Sequence, residues 1–186
     1  MLPEPSLGIM TDEELMEAFR GGDAKAFDAL FNRYAPVVRS YLLRMVMGSR
    51  AQADDLVQAT FLSVVRGRGR FLTGARFKPW LYAIATNAAR DAHRRGKSEA
   101  LTDDGSLPEE EAEPAAVNDP GLERQVRQAL AKLPEAQREA IVLHRFEGMS
   151  FSEIAQVVGL SESAVRVRAH RGYETLRGLL EEVWKS

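Results

Sequence analysis

The chain has 186 residues, 45% hydrophobic and 28% charged, which is enough apolar content for one ordinary domain or two small ones with cores of their own. It has no cysteine, which excludes a disulfide scaffold and thiolate metal sites, and its only imidazoles, His93, His144 and His170, are too scattered to suggest a metal centre or a metal cofactor. No stretch approaches 18 uninterrupted apolar residues, and the start MLPEPSLGIMTDEELMEAF lacks a basic flank leading into an apolar run, so a soluble, cytoplasmic protein without membrane insertion is expected.

The formal net charge of −2 conceals a strong segregation. Met1–Asn32 carries 7 acidic and 2 basic residues, Arg33–Lys97 carries 3 and 13, Ser98–Pro120 carries 8 and 0, and Gly121–Ser186 carries 9 and 10. The second block, with a net of +10, is an electrostatic footprint for a polyanion.

In chain order the pattern is helical throughout, with no alternating strand period. Thr11 with Glu14 forms a capping box that opens a first helix, and Asp23 caps a second whose apolar positions Phe27, Leu30, Phe31, Tyr34, Val38, Tyr41 and Leu42 recur at spacings of three and four. AQADDLVQATFLSVVRG reads as a third helix stopped by Gly67 and Gly69, and Pro79 lies in the first turn of a fourth. On that fourth helix Leu81, Ile84, Ala85, Ala88 and Ala92 make the core face. The opposite stripe holds Trp80, Ala83, Asn87, Arg90 and Arg94, a set suited to stacking on unpaired bases and neutralising phosphates.

SEALTDDGSLPEEEAEPAAVNDPG has three prolines, no aromatic residue and no positive charge, and is expected to be an extended or flexible linker. Its acids also suggest a segment able to fold back over the basic block. Beyond it, Ser150 with Glu153 forms a second capping box, Gly159 suits the left-handed end of a short helix, Leu160 anchors the turn and Ser161 caps the next helix. Val165, Ala169, Gly172 and Leu176 form that helix's buried side. Ser163, Val167, His170 and Arg171 are exposed, flanked by Arg166 and Arg168, as a helix in a DNA major groove requires.

The order of parts resembles the bacterial RNA polymerase sigma factors of the sigma-70 family, in the extracytoplasmic function (ECF) group that retains regions two and four. GGDAKAFDALFNRYAPVVRSYL, ADDLVQATFLSVVRG, FKPWLYAIATNAARDAHRR and LPEAQREAIVLHRFEGMSFSEIAQVVGLSESAVRVRAHRG carry the resemblance. It implies an all-α protein of two small helical domains: a tail over 1–10, region two over 11–97, the acidic linker over 98–120 and region four, a helix-turn-helix domain, over 121–186. It further implies core RNA polymerase and promoter DNA as partners, an anti-sigma factor as regulator, and no enzyme activity or cofactor. Asp54, Asp55, Leu56, Gln58 and Phe61 match the helix that docks on the polymerase clamp. Phe71, Thr73, Gly74, Ala75 and Arg76 lie in the match to the loop that captures a base flipped from the −10 element, and Trp80, Asn87, Arg90 and Arg94 would follow the melted strand. Ser161, Ser163, Arg166, Val167, Arg168, His170 and Arg171 fall on the helix expected at the −35 element.

Ala164 stands where the family often has threonine and Val167 where a polar residue is common, so the −35 preference stays open. Two other classes fit parts of the pattern. A DNA-binding repressor or activator would share the helix-turn-helix without needing Trp80 and the adjoining loop. An enzyme built on Asp54 and Asp55 would need a convergent pair, yet adjacent helical residues diverge by about 100°.

Overall fold

The computed structural model describes residues 8–100 and 120–184, and all regular structure among them is helical. Four helices form the first half: α1 (Asp12–Arg20), α2 (Ala24–Val46), α3 (Arg50–Gly67) and α4 (Phe77–Ala100), with one 3-10 turn at Arg68–Arg70 after α3. The second half holds α5 (Pro120–Ala131), α6 (Glu135–Ile141), a π-helical turn at Val142–Phe146, α7 (Phe151–Val158) and α8 (Glu162–Trp184). No described helix is long and apolar enough to cross a membrane.

Local chemistry sets the helix starts. The Thr11 backbone N–H donates to Glu14 Oε2 at 2.8 Å while the Glu14 N–H donates to Thr11 Oγ1 at 3.2 Å, so both arms of the first capping box form. Asp23 accepts from the Lys25 N–H at 2.9 Å to open α2. Pro36 lies inside α2; it stands on the exposed side, and the apolar row from Leu30 to Leu42 outweighs its missing N–H. The α2 end is a left-handed Met47 at φ 52°, after which Ser49 caps α3.

In the second half the Ser150–Glu153 box forms as the sequence predicts, and Gly159, at φ +71°, returns its N–H to the Ala155 carbonyl at 2.9 Å. Ser161 accepts from the Ala164 N–H at 3.2 Å to cap α8. A Cβ on Gly172 would stand 2.6 Å from Ile141 Cδ1 and 3.3 Å from Gln137 Cβ, so the absent side chain is what lets α8 lie against α6. The π turn had no signature in the sequence. Its extra residue per turn lets the Glu147 N–H reach the Val142 carbonyl and turns the chain toward α7.

The halves, expected as separate units on a linker, pack against each other. α4 lies along α7, α2 meets α6 and the π turn, and one buried cluster runs from Leu15 and Tyr41 in the first half to Leu143 and Ile154 in the second. Inside it the Tyr41 and Thr86 hydroxyls are hydrogen-bonded at 2.7 Å, and the Tyr41 and Tyr82 rings meet edge to face at 5.2 Å. α4 is therefore buried on two sides, with Tyr82, Thr86 and Ala89 joining the predicted face of Leu81, Ala85 and Ala92. It also runs past Lys97 to Ala100, so the start of the acidic segment is helical rather than extended. The rest of that segment and the first seven residues lie outside the described residues, as does any fold-back of the acids.

Gly172→Leu is expected to destabilise the protein by about 1 to 3 kcal/mol through overpacking against Ile141 and Gln137. Urea unfolding followed by circular dichroism measures it, and an unchanged midpoint would show that α6 and α8 are not in close contact.

Candidate nucleic-acid and protein interfaces

The loop between the 3-10 turn and α4 is a tight turn on an aromatic anchor. The Ala75 N–H donates to the Leu72 carbonyl at 3.0 Å and Gly74 takes φ +82°, the left-handed third position that such a turn demands. Thr73 and Gly74 are exposed, Ala75 is half-buried and Arg76 is exposed. Phe71 differs from the expectation of a DNA-facing residue: it is 2% exposed and packs edge-on against Trp80 at 5.2 Å and Phe77 at 6.3 Å. It pins the loop from beneath.

A cleft of about 390 Å³ opens beside this loop, lined by Met10, Glu13, Glu14, Glu17, Phe71, Thr73 and Gly74. One wall thus comes from α1, whose acids the sequence marks only as first-turn and capping residues. Glu13 accepts the Phe77 N–H at 3.0 Å, fixing the start of α4, and Arg20 donates to Glu17 and to Thr73 Oγ1, fixing the loop. These α1 residues carried no legible signal because the fold, not the spacing, brings them to the loop.

Along α4 the outward stripe divides. Trp80 is half-buried over Gly67, where a Cβ would meet the indole at 3.4 Å, while Asn87 is exposed and Arg94 pairs with Asp91. Arg90 instead forks onto Glu139 of α6, Nε to Oε1 at 2.6 Å and the terminal nitrogen to Oε2 at 2.7 Å. That hydrogen bonding pushes the Arg90 pKa above its ordinary value. Nearby, Lys78 donates to the Glu147 carbonyl oxygen, the Tyr82 hydroxyl donates to the Glu147 carboxylate, and Arg76 pairs with Glu153 at 3.0 Å. Burial raises the Glu147 pKa, whereas the Ser150 N–H holds that of Glu153 low.

On α3, Asp54 pairs with Arg39 while Asp55 and Gln58 are exposed. Leu56 and Phe61, expected on the docking surface, are 6% and 3% exposed and belong to the core. They orient the helix from inside. The exposed stripe is Asp55, Gln58, Ala59 and Leu62, at helical spacings of three and four, with Phe31 of α2 also open to solvent. Phe31 and Leu62 were missed because an apolar residue at helical spacing reads as core.

α8 presents Ser163, Val167, His170 and Arg171 to solvent, with Arg168 half-buried. Ser161, at the cap, is exposed as well. Arg166 pairs with Glu162 and its guanidinium lies 4.8 Å from the Phe151 ring, and His170 Nε2 stands 3.4 Å from Glu174. A helix-turn-helix whose second helix shows a solvent-facing cationic row, joined to a basic helical bundle with a loop-walled cleft, defines a helical nucleic-acid-binding protein.

Comparison with known proteins narrows the class. The family models for sigma-70 region 2 and sigma-70 region 4 match residues 30–99 and 123–176. RNA polymerase sigma factor CarQ of Myxococcus xanthus is 50% identical over 172 residues, 90% of this chain and 97% of that protein, and ECF RNA polymerase sigma factor SigM of Mycobacterium tuberculosis is 34% identical, covering 91% and 85%. Among solved structures, CnrH in complex with the cytosolic domain of CnrY aligns with TM-score 0.72 at 30% identity, over 92% of this chain and 97% of that one. RpoE in complex with the anti-sigma factor NepR from Bartonella quintana aligns with TM-score 0.76 at 26% identity, over 85% and 98%. The chain belongs to the sigma-70 family of RNA polymerase sigma factors, in its ECF group, and its function is promoter-directed transcription initiation.

The anchor role of Phe71 separates it from its neighbours in the loop. Phe71→Ala is expected to cost about 3 to 5 kcal/mol in stability and Thr73→Ala no more than about 0.5 kcal/mol, read from thermal unfolding. Equal costs would contradict the buried placement of Phe71.

Proposed function

We propose that three surfaces divide the work of initiation. The exposed α3 stripe of Asp55, Gln58 and Leu62, with Asp54 at its edge and Leu56 and Phe61 holding it in place, docks core RNA polymerase. The cleft beside Thr73 and Gly74 takes a base flipped from the −10 element. Arg76, Trp80, Asn87, Arg90 and Arg94 guide the unpaired strand, and α8 lies on the −35 element. The observation that carries the reading is the cleft itself, walled by a glycine turn and set at the head of a basic helix, in a chain that also carries a cationic helix-turn-helix. A duplex-binding repressor has no use for such a cleft.

The division of labour follows boundaries at 11–97 and 121–186, with 98–120 as connection. Stacking, phosphate neutralisation and base capture need no covalent step, so the chain works by binding alone, in the cytoplasm where polymerase and promoters are. The cleft surface is almost wholly apolar, with the carboxylates of Glu13, Glu14 and Glu17 turned to the Phe77 N–H, the Thr11 N–H and Arg20, which suits packing against a base face rather than holding phosphate. An anti-sigma factor is the proposed regulator, as the similar RpoE is found in complex with the anti-sigma factor NepR.

Run-off transcription with core polymerase on a promoter library tests the reading. Transcripts from a defined set of −10 and −35 elements are expected, and none above the level of core alone would refute it. Asp55→Ala with Gln58→Ala is expected to weaken competition for core while leaving the melting temperature unchanged, both side chains being exposed. Arg171→Ala is expected to cost about 1 to 3 kcal/mol with relaxed preference at one −35 position if it reads a base edge. A uniform loss with a salt slope lower by about one would instead mark a phosphate contact.

A further inference from the structure

Among the residues lining the cleft beside the loop, Thr73 alone carries a hydroxyl, and α1 sets the direction of its hydrogen bonding. Arg20, the last residue of α1, places Nη1 at 2.8 and 3.0 Å from the two Glu17 carboxylate oxygens and at 3.2 Å from Thr73 Oγ1. That nitrogen has two hydrogens, so one shared between the carboxylate oxygens leaves the other for Thr73. The helix end that carries Arg20 is itself held in place. Phe19 beside it is buried with the Arg68 guanidinium 5.3 Å from its ring, and the Gly21 N–H donates to the Glu17 carbonyl at 3.0 Å.

We infer that Arg20 is a positioning residue for promoter recognition: by donating to Thr73 it fixes that hydroxyl as a donor to the cleft, so the captured base is read through an acceptor on its edge. The inference rests on the reading of the cleft as the seat of a base flipped from the −10 element. A guanidinium can only donate, so Thr73 Oγ1 accepts and the hydroxyl proton is turned elsewhere. Among the described residues no other group bonds to this hydroxyl, which leaves its proton for a ligand. Without Arg20 the hydroxyl rotates freely, donating to a keto oxygen or ring nitrogen and accepting from an exocyclic amine equally well, and the selection is lost.

The rest of the rim has the same polarity. The Thr73 and Gly74 N–H groups have no partner among the described residues, which adds two donors at the loop tip. The nearby acceptors are already engaged, Glu13 by the Phe77 N–H, Glu14 by the Thr11 N–H and Glu17 by Arg20. A base that turns a keto oxygen or an unprotonated ring nitrogen to Thr73 gains a hydrogen bond. One that turns an amino group there sets donor against donor and gives up its bond to water. Packing of a base face in the cleft is tolerant of base identity, since every base has a π-face, so selection at this position arises at the edge that Thr73 meets.

The test is run-off transcription by the full chain with core polymerase, on promoters carrying each of the four bases in turn at every −10 position. Thr73→Val keeps the side chain's shape and removes the hydroxyl, and is expected to narrow the ratio between the best and worst base at one position by about threefold or more. Arg20→Ala is expected to narrow the ratio at that same position by a similar factor, and the double variant no further than either single one. Competition for core polymerase and circular dichroism of Arg20→Ala are expected to match those of the unsubstituted chain. Suppose instead that Thr73→Val changes the preference while Arg20→Ala leaves it, lowers all bases alike or acts at another position. The role of Arg20 is then overturned while the cleft reading stands, as it is if the double variant is flatter than both. No change at any −10 position with either variant would remove the cleft reading, and the inference with it.

Discussion

Glu139 is almost wholly removed from water, and a carboxylate in that position is tolerable only because Arg90 meets both of its oxygens. An uncompensated charge there would cost several kcal/mol, more than most single contacts in a domain supply. The pairing therefore ties α6, which packs on α2 and α8, to α4, beside the direct contact of α7 with α4. The same guanidinium lies on the stripe of α4 that the sequence assigns to nucleic acid. One helix thus serves as the core of the first half and the platform for the second, on the same stripe proposed to guide DNA.

The local features of the fold are legible in the sequence. Both capping boxes, the Asp23 and Ser161 caps, the left-handed Gly159 and the close approach at Gly172 are local or nearly local effects, in which the residue type and its immediate neighbours decide the geometry. The helix-turn-helix was readable for the same reason. What could not be read was which surface meets which. Tyr82 and Thr86 fall outside the single apolar face of α4, because periodicity reveals one buried side and a second partner adds another.

The functional surfaces divide for the same reason. Leu56, Phe61 and Phe71 lie within the matching motifs yet are buried, since a motif includes the residues that hold a surface in shape as well as those that form it. Phe31 and Leu62 failed in the opposite direction, being apolar and exposed. The α1 wall of the cleft comes from residues some sixty positions before the loop, and charge patterning cannot signal such a meeting. Among the described residues, the acids that meet the basic helix are isolated glutamates of the second half, which block-wise charge counting does not single out.

The central claim is that the Arg90–Glu139 pair holds the two halves of the free chain together. The chain lacks cysteine, so a donor and an acceptor placed at Asp28→Cys and Arg177→Cys, exposed positions of α2 and α8, report the separation of the halves without background. Energy transfer within this chain and within its Glu139→Lys variant is the most direct measurement. The account predicts strong transfer in the unsubstituted chain and clearly weaker transfer in Glu139→Lys, with circular dichroism showing both folded. The same transfer efficiency in both would contradict it.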